Sequence, residues 1–143
     1  MKSITLSYKF VETIPEKLKE KTLYIAIDYV TAVHKCCCGC GKEVVTPLSP
    51  TDWKLIYDGV SVSLSPSIGN WSFDCKSHYW IKRNKVRWAA QWTDEQIASG
   101  RSLDRRAKAR YRQEETGTES TRCHDNGTLH TGLLSRLKRW FTD

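Results

Sequence analysis

The feature that most constrains the fold of this chain is a cluster of cysteines. Four cysteines occupy five positions in the run Cys36-Cys37-Cys38-Gly39-Cys40, and Cys75 and His78 follow further along as Cys-x-x-His. The N-terminus lacks the apolar segment of a signal peptide, so we expect a cytoplasmic protein whose thiols are reduced. Clustered thiolates select Zn²⁺, whose structural sites are tetrahedral Cys₄ or Cys₃His. The sequence therefore predicts a structural zinc ion.

The spacing of the cysteines leaves the choice of zinc ligands open. Both Cys37-x-x-Cys40 and Cys36-x-Cys38-x-Cys40 fit a metal-binding knuckle, and the distal ligand is Cys75 with or without His78. The glycines within and after the run suit a tight turn, because glycine adopts positive φ without steric cost. A β domain of about 90 residues gains stability from such a crosslink, since its hydrophobic core is small.

The composition of the chain changes near residue 92. Five of the six Trp, five of the six Cys and all four Pro precede residue 93. Short runs with alternating apolar residues in residues 1–92 are typical of strands. We also predict a short helix at Pro15–Lys21 and a hairpin with Arg83-Asn84 at its turn. The predicted strands are Ile4–Val11, Leu23–Ile27, Ala32–Cys36, Glu43–Pro47, Trp53–Tyr57, Val60–Leu64, His78–Lys82 and Lys85–Trp88. The expected fold is a small, mainly antiparallel β domain.

Residues 93–143 predict a basic helical tail. Thr93 and the acidic residues after it are typical of a helix start, and Gly100 is expected to interrupt or end that helix. Gly117–Gly127 predicts a polar linker, and Leu133–Phe141 has the apolar spacing of an amphipathic helix. No apolar run in the chain approaches the roughly 20 residues of a membrane-spanning helix, so no membrane partner is expected.

The net charge of +7 identifies no partner by itself. A nucleic-acid-binding protein concentrates its basic residues into a stripe, whereas here they are spread along the chain. The predicted hairpin carries basic residues near two tryptophans, but hairpin tips are commonly charged for solubility. The residues concerned are Lys82, Arg83, Lys85 and Arg87, with Trp80 and Trp88. Binding of nucleic acid is therefore not expected.

Several motifs along the first part of the chain are similar to those of one bacterial family. In chain order they are Cys36-x-Cys38-Gly39-Cys40-Gly41, Leu48-Ser49-Pro50, Ser63-Leu64-x-Pro66-Ser67-Ile68-Gly69-Asn70-Trp71 and Cys75-x-Ser77-His78-Tyr79-Trp80-Ile81. These blocks resemble domains of unknown function encoded in operons for ubiquitin-like conjugation, beside ubiquitin-like, E1-like and E2-like proteins. The resemblance covers roughly residues 4–90. It implies a serine-type peptidase that trims a ubiquitin-like protein or removes it from its conjugates, in a pathway of antiphage defence.

A peptidase of this kind needs a nucleophile, a base and donors for the oxyanion. Ser67 follows Pro66 in a segment that we expect to be an exposed loop between two strands, and it is the predicted nucleophile. His78, at the start of the next strand, is the predicted base. The backbone amides near Gly69, or the Asn70 side chain, are the predicted oxyanion donors.

His78 cannot serve as both the base and a zinc ligand. If His78 is the base, zinc is held by cysteines alone, and if His78 binds zinc, His34 has to be the base. The all-cysteine ligand set is Cys36, Cys38, Cys40 and Cys75, with Cys37 as a substitute.

Two further questions stay open at the level of sequence. Ser63, Ser65 and Ser77 are alternative nucleophiles, and Asp28, Asp58 and Asp74 are equally weak candidates for a third catalytic residue. The alternative function is a non-catalytic zinc adaptor that recruits a ubiquitin-like or E2-like protein of the same pathway.

Overall fold

The computed structural model describes residues 3–122, with side chains as far as residue 117. Within these residues there are nine strands and one helix. They are β1 (Ile4–Thr5), β2 (Ser7–Phe10), β3 (Thr22–Ala26), β4 (Thr31–Lys35), β5 (Glu43–Pro47), β6 (Lys54–Tyr57), β7 (Val62–Gly69), β8 (His78–Lys82), β9 (Lys85–Trp88) and α1 (Asp94–Arg122). Residues up to Arg101 form one compact unit, and α1 from Ser102 onward belongs to a second. The predicted mainly β fold with a C-terminal helix is confirmed, whereas the predicted boundary between residues 92 and 93 stays a prediction.

The strands form two sheets that share one core. The order is β1-β9-β8-β7-β6 in the five-stranded sheet and β2-β3-β4-β5 in the four-stranded sheet. All neighbouring strands are antiparallel except β2 and β3, which are parallel. Fully buried side chains from both sheets form a single cluster, including Leu23 and Ile25 from one sheet and Ile68, Tyr79 and Ile81 from the other. One face of each sheet therefore packs against the other sheet. Tyr24 of β3 and Val33 of β4 instead pack with Leu18 in a second, smaller cluster.

The predicted first strand is divided between the two sheets. Ile4 pairs with Val86 in the five-stranded sheet, whereas β2 begins at Ser7 and pairs with β3 in the four-stranded sheet. Leu6 lies between the two strands and is buried. The alternation of Ile4–Val11 was a correct indication of strand, but it carries no information on which sheet each half joins.

The predicted helix at Pro15–Lys21 is wrong. Residues 11–21 lead from the end of β2 back to the start of its parallel neighbour β3, and they contain bends and a turn but no helix. Leu18 packs against Tyr24 and Val33, and the Lys19 amide donates to the Tyr24 hydroxyl. An extended return path therefore makes tertiary contacts that outweigh the local helix signal.

The segment around Ser67 is strand rather than the expected loop. β7 runs to Gly69, with Leu64 opposite Ile81 and Ile68 opposite Tyr79. Three residues of β7 therefore lie between these two pairs, whereas β8 has only one residue between them. The extra residues form a β-bulge that contains Ser65, Pro66, which follows a cis peptide bond, and Ser67. A bulge redirects the side chains of its strand while the pairing resumes beyond it.

The hairpin between β8 and β9 has the predicted turn. Lys82 pairs with Lys85, and both intervening residues, Arg83 and Asn84, have positive φ. Positive φ at both central residues is the requirement of a type I′ turn.

The helix α1 begins with a capping box and continues past Gly100. The Thr93 hydroxyl accepts a hydrogen bond from the Gln96 amide, and the Gln96 side chain accepts one from the Thr93 amide. The expected break at Gly100 is wrong, and so is the linker prediction for the part of Gly117–Gly127 that the structure describes, because the helix reaches Arg122. The amphipathic segment Leu133–Phe141 lies outside the described residues. No helix among the described residues is both long and apolar enough to cross a membrane.

Candidate functional site

Ser67 and His78 are hydrogen-bonded to each other. The Ser67 Oγ lies 2.9 Å from His78 Nε2, and the other ring nitrogen, Nδ1, lies 2.7 Å from the backbone carbonyl oxygen of Ala90. Because a carbonyl only accepts, Nδ1 carries the proton, and in the neutral ring Nε2 accepts from the Ser67 hydroxyl. This is the arrangement in which an imidazole acts as a general base towards a serine.

The bulge in β7 and the start of β8 bring these two side chains together. His78 pairs with Gly69, and Ser67 lies two residues before Gly69 on the same face of the strand. Ile68 and Tyr79, on the opposite parity, are buried in the core. Ser67 and His78 therefore lie on the outer face of the five-stranded sheet, which allows one side to be stabilised by packing and the other to meet a substrate.

The group that hydrogen-bonds to the second nitrogen of His78 is a backbone carbonyl, that of Ala90. None of the acidic residues considered from the sequence contributes an observed hydrogen bond to His78. Asp58 accepts from the backbone amides of Val60 and Ser61, which lower its pKa to about 2, and Asp74 lies 3.5 Å from Lys42. No sequence signal points to Ala90, because a main-chain carbonyl is present at every position.

Three tryptophan rings enclose His78, which is 6% exposed. The Trp71 ring centroid lies 4.9 Å from that of His78, and those of Trp92 and Trp80 lie 5.3 and 5.9 Å away. Trp71 and Trp92 also stack on each other at 5.5 Å. The rings hold the imidazole in one orientation and limit the access of water to it.

Two glycines leave the space that these rings need. A Cβ at Gly69 would overlap Nε1 of Trp71, and one at Gly100 would lie 2.9 Å from the edge of the Trp92 ring. Both approaches are closer than atomic contact allows. Close packing of a ring therefore explains the glycine at each position, including the one inside α1.

The other alternative nucleophiles have different surroundings. Ser63 Oγ accepts a hydrogen bond from the Arg83 amide at the hairpin turn, and Ser77 is buried among the cysteines. Ser65 is exposed beside Pro66. Among the described residues, Ser67 is the candidate serine that is hydrogen-bonded to a histidine.

Four cysteine sulfurs converge at one end of β8. The Sγ atoms of Cys36, Cys38, Cys40 and Cys75 all lie within 4.8 Å of one another. The Cys36–Cys38, Cys36–Cys75 and Cys40–Cys75 distances are 3.4, 3.8 and 3.9 Å. A tetrahedral site with Zn–S bonds of about 2.3 Å has sulfur–sulfur edges of about 3.8 Å. The four sulfurs thus fit a tetrahedral metal ion.

The backbone and the thiol environments agree with this fit. Gly39 and Gly41 have φ of 90° and 78°, and the Gly39 amide donates to the Cys36 carbonyl, which closes the knuckle. Burial raises the pKa of Cys36, so its thiolate needs a nearby cation. Burial also opposes ionisation of Cys75, but hydrogen bonds with Ser77 lower its pKa to about 7.

Cys37 and His34 pack against the core and are not among the four converging sulfurs or the Ser67–His78 pair. Cys37 packs against the hydrophobic cluster, and burial raises its pKa to about 12, so it stays a thiol at neutral pH. Burial lowers the pKa of His34 to about 4, and its Nε2 pairs with the Tyr79 hydroxyl at 2.8 Å. His34 is therefore neutral at pH 7, and its hydrogen-bond partner is Tyr79 rather than a candidate serine.

Asn70 and Ser77 connect the cysteine cluster with the segment that holds His78. The Asn70 Nδ2 donates to the Ser77 Oγ at 2.9 Å and approaches the Cys36 Sγ at 3.7 Å. The Ser77 Oγ lies 3.1 Å from the Cys36 Sγ. The predicted role of Asn70 as an oxyanion donor stays a prediction, but all hydrogen bonds observed for its side chain point to the cysteine cluster and Tyr79.

Comparison with known proteins gives one match. The model of a protein family described as bacterial ubiquitination-like system serine protease (BubE) matches residues 10–89, which is more than half of the chain. The chain belongs to this family. The BubE match includes Ser67, His78 and the four converging cysteines, and it ends one residue before Ala90. No curated protein and no solved structure matches the chain.

Proposed function

We propose that this BubE family member is a serine-type peptidase that processes or deconjugates a bacterial ubiquitin-like protein. Ser67 is the nucleophile, His78 is the general base, and the Ala90 carbonyl orients His78. The observation that carries the proposal is the hydrogen-bonded series from Ser67 Oγ through His78 to the Ala90 oxygen. The family description supports both the reaction type and the pathway.

His78 transfers a proton in both steps of the proposed reaction, acylation of Ser67 and hydrolysis of the resulting ester. His78 Nε2 accepts the Ser67 proton as Oγ attacks the carbonyl carbon of the scissile bond, and the resulting imidazolium then donates that proton to the leaving amine. The bond between the acyl carbon and nitrogen breaks, and an ester to Ser67 remains. His78 then takes a proton from a water molecule as the water oxygen attacks the ester carbon. The bond between that carbon and Ser67 Oγ breaks, the carboxylic acid product leaves, and His78 returns the proton to Ser67 Oγ. The backbone amide of Gly69 is the proposed oxyanion donor.

Cys36, Cys38, Cys40 and Cys75 are proposed to hold a structural zinc ion. Four thiolate ligands leave no open position for water, so the ion supplies rigidity rather than a nucleophile. It would fix the segment between Asn70 and Ser77, which carries Trp71 and leads directly into His78. The partners in this proposal are the ubiquitin-like protein and its conjugates, with the E1-like and E2-like proteins of the pathway as further candidates. Cytoplasmic location and a role in antiphage defence stay predictions.

Labelling with a fluorophosphonate probe tests the proposal directly. We expect one adduct on the intact protein, located at Ser67, because the probe reacts with serines that are activated by a base. Ser67→Ala and His78→Ala should lose the adduct while zinc content stays at the wild-type level. Ser65→Ala, on the same bulge and exposed, is the matched control and should label normally.

Two results would contradict the proposal in different ways. No adduct on the folded wild-type protein would exclude an activated serine and favour the zinc adaptor that binds a ubiquitin-like or E2-like protein without chemistry. Loss of zinc from His78→Ala would make His78 a ligand and would remove it as the base.

A further inference from the structure

We propose that the substrate tail on the acyl side of the scissile bond binds as an added β-strand along the open edge of β7, with one apolar side chain in a cleft beside Pro66. This inference rests on the proposed function and names the part of the substrate that the site recognises. It is carried by two independent features: an unpaired stretch of backbone next to Ser67, and an apolar cleft that begins where that stretch begins.

The open edge follows from the lengths of the strands. β6 pairs with β7 only from Tyr57 opposite Val62 to Lys54 opposite Ser65. Within residues 3–122, no strand pairs with positions 66–69 of β7 on the side away from β8. The edge next to the proposed nucleophile is therefore available to an extended peptide.

The hydrogen-bond pattern shows which backbone groups face this edge. The Asn70 amide donates to the Ser77 carbonyl and therefore faces the start of β8, whereas the Asn70 carbonyl accepts from the Phe73 amide. The His78 carbonyl accepts from the Ala89 amide and thus faces β9. In an antiparallel ladder such groups alternate sides, so the amide and carbonyl of Gly69 point away from β8. The Gly69 carbonyl is placed to accept a hydrogen bond from a substrate strand, as in peptide recognition by strand addition, and the Gly69 amide at the same edge is the oxyanion donor proposed above.

The cleft lies on the same side of β7. It has a volume of about 600 Å³ and extends from Ser65 and Pro66 past the start of β6 to the turn between β3 and β4. Its apolar lining includes Leu48, Trp53, Ile27 and Val30. Ile27 and Val30 are 57% and 54% exposed, so their apolar surface is open to a ligand. A leucine-sized side chain of a peptide that lies on the β7 edge would bury this surface.

The acyl side of the substrate is the part that suits a dedicated cleft. In both maturation and deconjugation of a ubiquitin-like protein, the acyl part is the C-terminal tail of that same protein, whereas the leaving group differs between conjugates. Specificity for the constant part therefore serves every substrate of the enzyme.

Peptidyl diphenyl phosphonates provide the test, because they carry only the acyl side of a substrate and inactivate serine peptidases. A tetrapeptide series places Leu, Asp or Lys at the second, third or fourth residue before the phosphonate. We expect one position at which Leu inactivates at least 10-fold faster than Asp. Ile27→Asp should reduce this preference to below 3-fold and should favour Lys at the same position. Val45→Asp, which changes an equally exposed side chain on β5, should leave the preference unchanged.

Strand addition is tested separately with the preferred peptide. Methylation of a single peptide nitrogen removes one hydrogen-bond donor, so rates should fall about 10-fold at every second residue and stay nearly unchanged between them. A loss that does not alternate would contradict binding as a strand.

The small fluorophosphonate distinguishes failure of this inference from failure of the proposed function. One outcome is that this probe labels Ser67 while the peptides show no Leu preference, or while Ile27→Asp leaves that preference intact. In either case the cleft is not the recognition site, although the proposed peptidase function stands. If the probe does not label the folded wild-type protein, the proposed function itself fails. Should Ile27→Asp misfold, Val30→Asp replaces it, because Val30 has a φ of 49° and aspartate tolerates that conformation better than valine.

Discussion

At the scale of single residues, His78 is held by two oxygen atoms of different kinds. One is the Ser67 hydroxyl and the other is the main-chain carbonyl of Ala90. A carbonyl fixes the ring and its tautomer as a carboxylate does, but it carries no net charge with which to stabilise the imidazolium. The side chain at position 90 takes no part in this hydrogen bond, which depends instead on the path of the backbone from β9 to Trp92.

Asn70 allows two roles to be separated in one variant. Asn70→Asp keeps the shape of the side chain but replaces the amide donor beside Cys36 with a negative charge. If Asn70 supports the cysteine cluster, zinc affinity should fall about 10- to 100-fold, as is typical for groups that orient metal ligands. A competition titration with a chromogenic chelator measures this affinity.

The rate of fluorophosphonate labelling at saturating zinc is the control for this variant. The predicted oxyanion role would lower that rate about 100- to 1000-fold with zinc affinity unchanged. Ser65→Ala again serves as the control for both measurements, since Ser65 is exposed and belongs neither to the cysteine cluster nor to the Ser67–His78 pair.

At the scale of elements, the segment between β7 and β8 joins the cysteine cluster to the Ser67–His78 pair. It begins with Asn70 and Trp71, carries Cys75, and ends at Ser77 immediately before His78. The Asn70 amide donates to the Ser77 carbonyl, so the two ends of the segment are tied together. Only a few residues of backbone therefore separate the cysteine cluster from the ring that covers His78.

The first turns of α1 are expected to stabilise the β domain, and the rest of the helix is not. Ile97 is 8% exposed, whereas Leu103 on the same helix is 65% exposed. Ile97→Ala should lower the free energy of unfolding by about 2 kcal/mol, and Leu103→Ala should change it by less than about 0.5 kcal/mol. Urea denaturation monitored by tryptophan fluorescence measures both.

The labelling rate extends this comparison to the site. Gly100 lies on the same part of α1 as Ile97 and packs against Trp92, which covers His78. Ile97→Ala should therefore also slow labelling of Ser67, and Leu103→Ala should not. Equal effects of the two substitutions on stability would show that the start of α1 does not pack on the domain.

At the scale of the whole molecule, the zinc site is expected to decide whether the domain folds. A structural zinc contributes roughly 10–16 kcal/mol of apparent binding free energy in small zinc-binding peptides, and a whole domain is stable by only about 5–15 kcal/mol. Removal of the metal with a chelator should therefore lower the melting temperature strongly, and labelling of Ser67 should be lost at the rate at which the protein unfolds. Loss of labelling before unfolding would instead indicate a catalytic metal.

Two neighbouring cysteines provide matched variants for this prediction. Cys38→Ser removes one of the four converging sulfurs and should lose zinc, whereas Cys37→Ser should retain it. Cys37 packs on the core, so its replacement should cost some stability without changing the metal content. Retention of zinc by Cys38→Ser, or its loss from Cys37→Ser, would contradict the assigned ligand set.

The sequence by itself determined the local features of this protein. Alternating apolar residues placed most of the strands, Arg83-Asn84 placed a turn, and clustered cysteines indicated a metal site, because each of these signals depends on residues that are close in the chain. The motif around Ser67 and His78 likewise singled out the two side chains that the fold brings into contact.

Only the tertiary structure decided how these pieces are combined. It divided Ile4–Val11 between two sheets, replaced the helix at Pro15–Lys21 by an extended return path, and continued β7 through the expected loop. It also separated Cys37 from the four converging cysteines and supplied the Ala90 carbonyl as the partner of His78. The physical reason is that these outcomes depend on burial and on backbone groups, which every residue possesses and which only long-range packing brings into position.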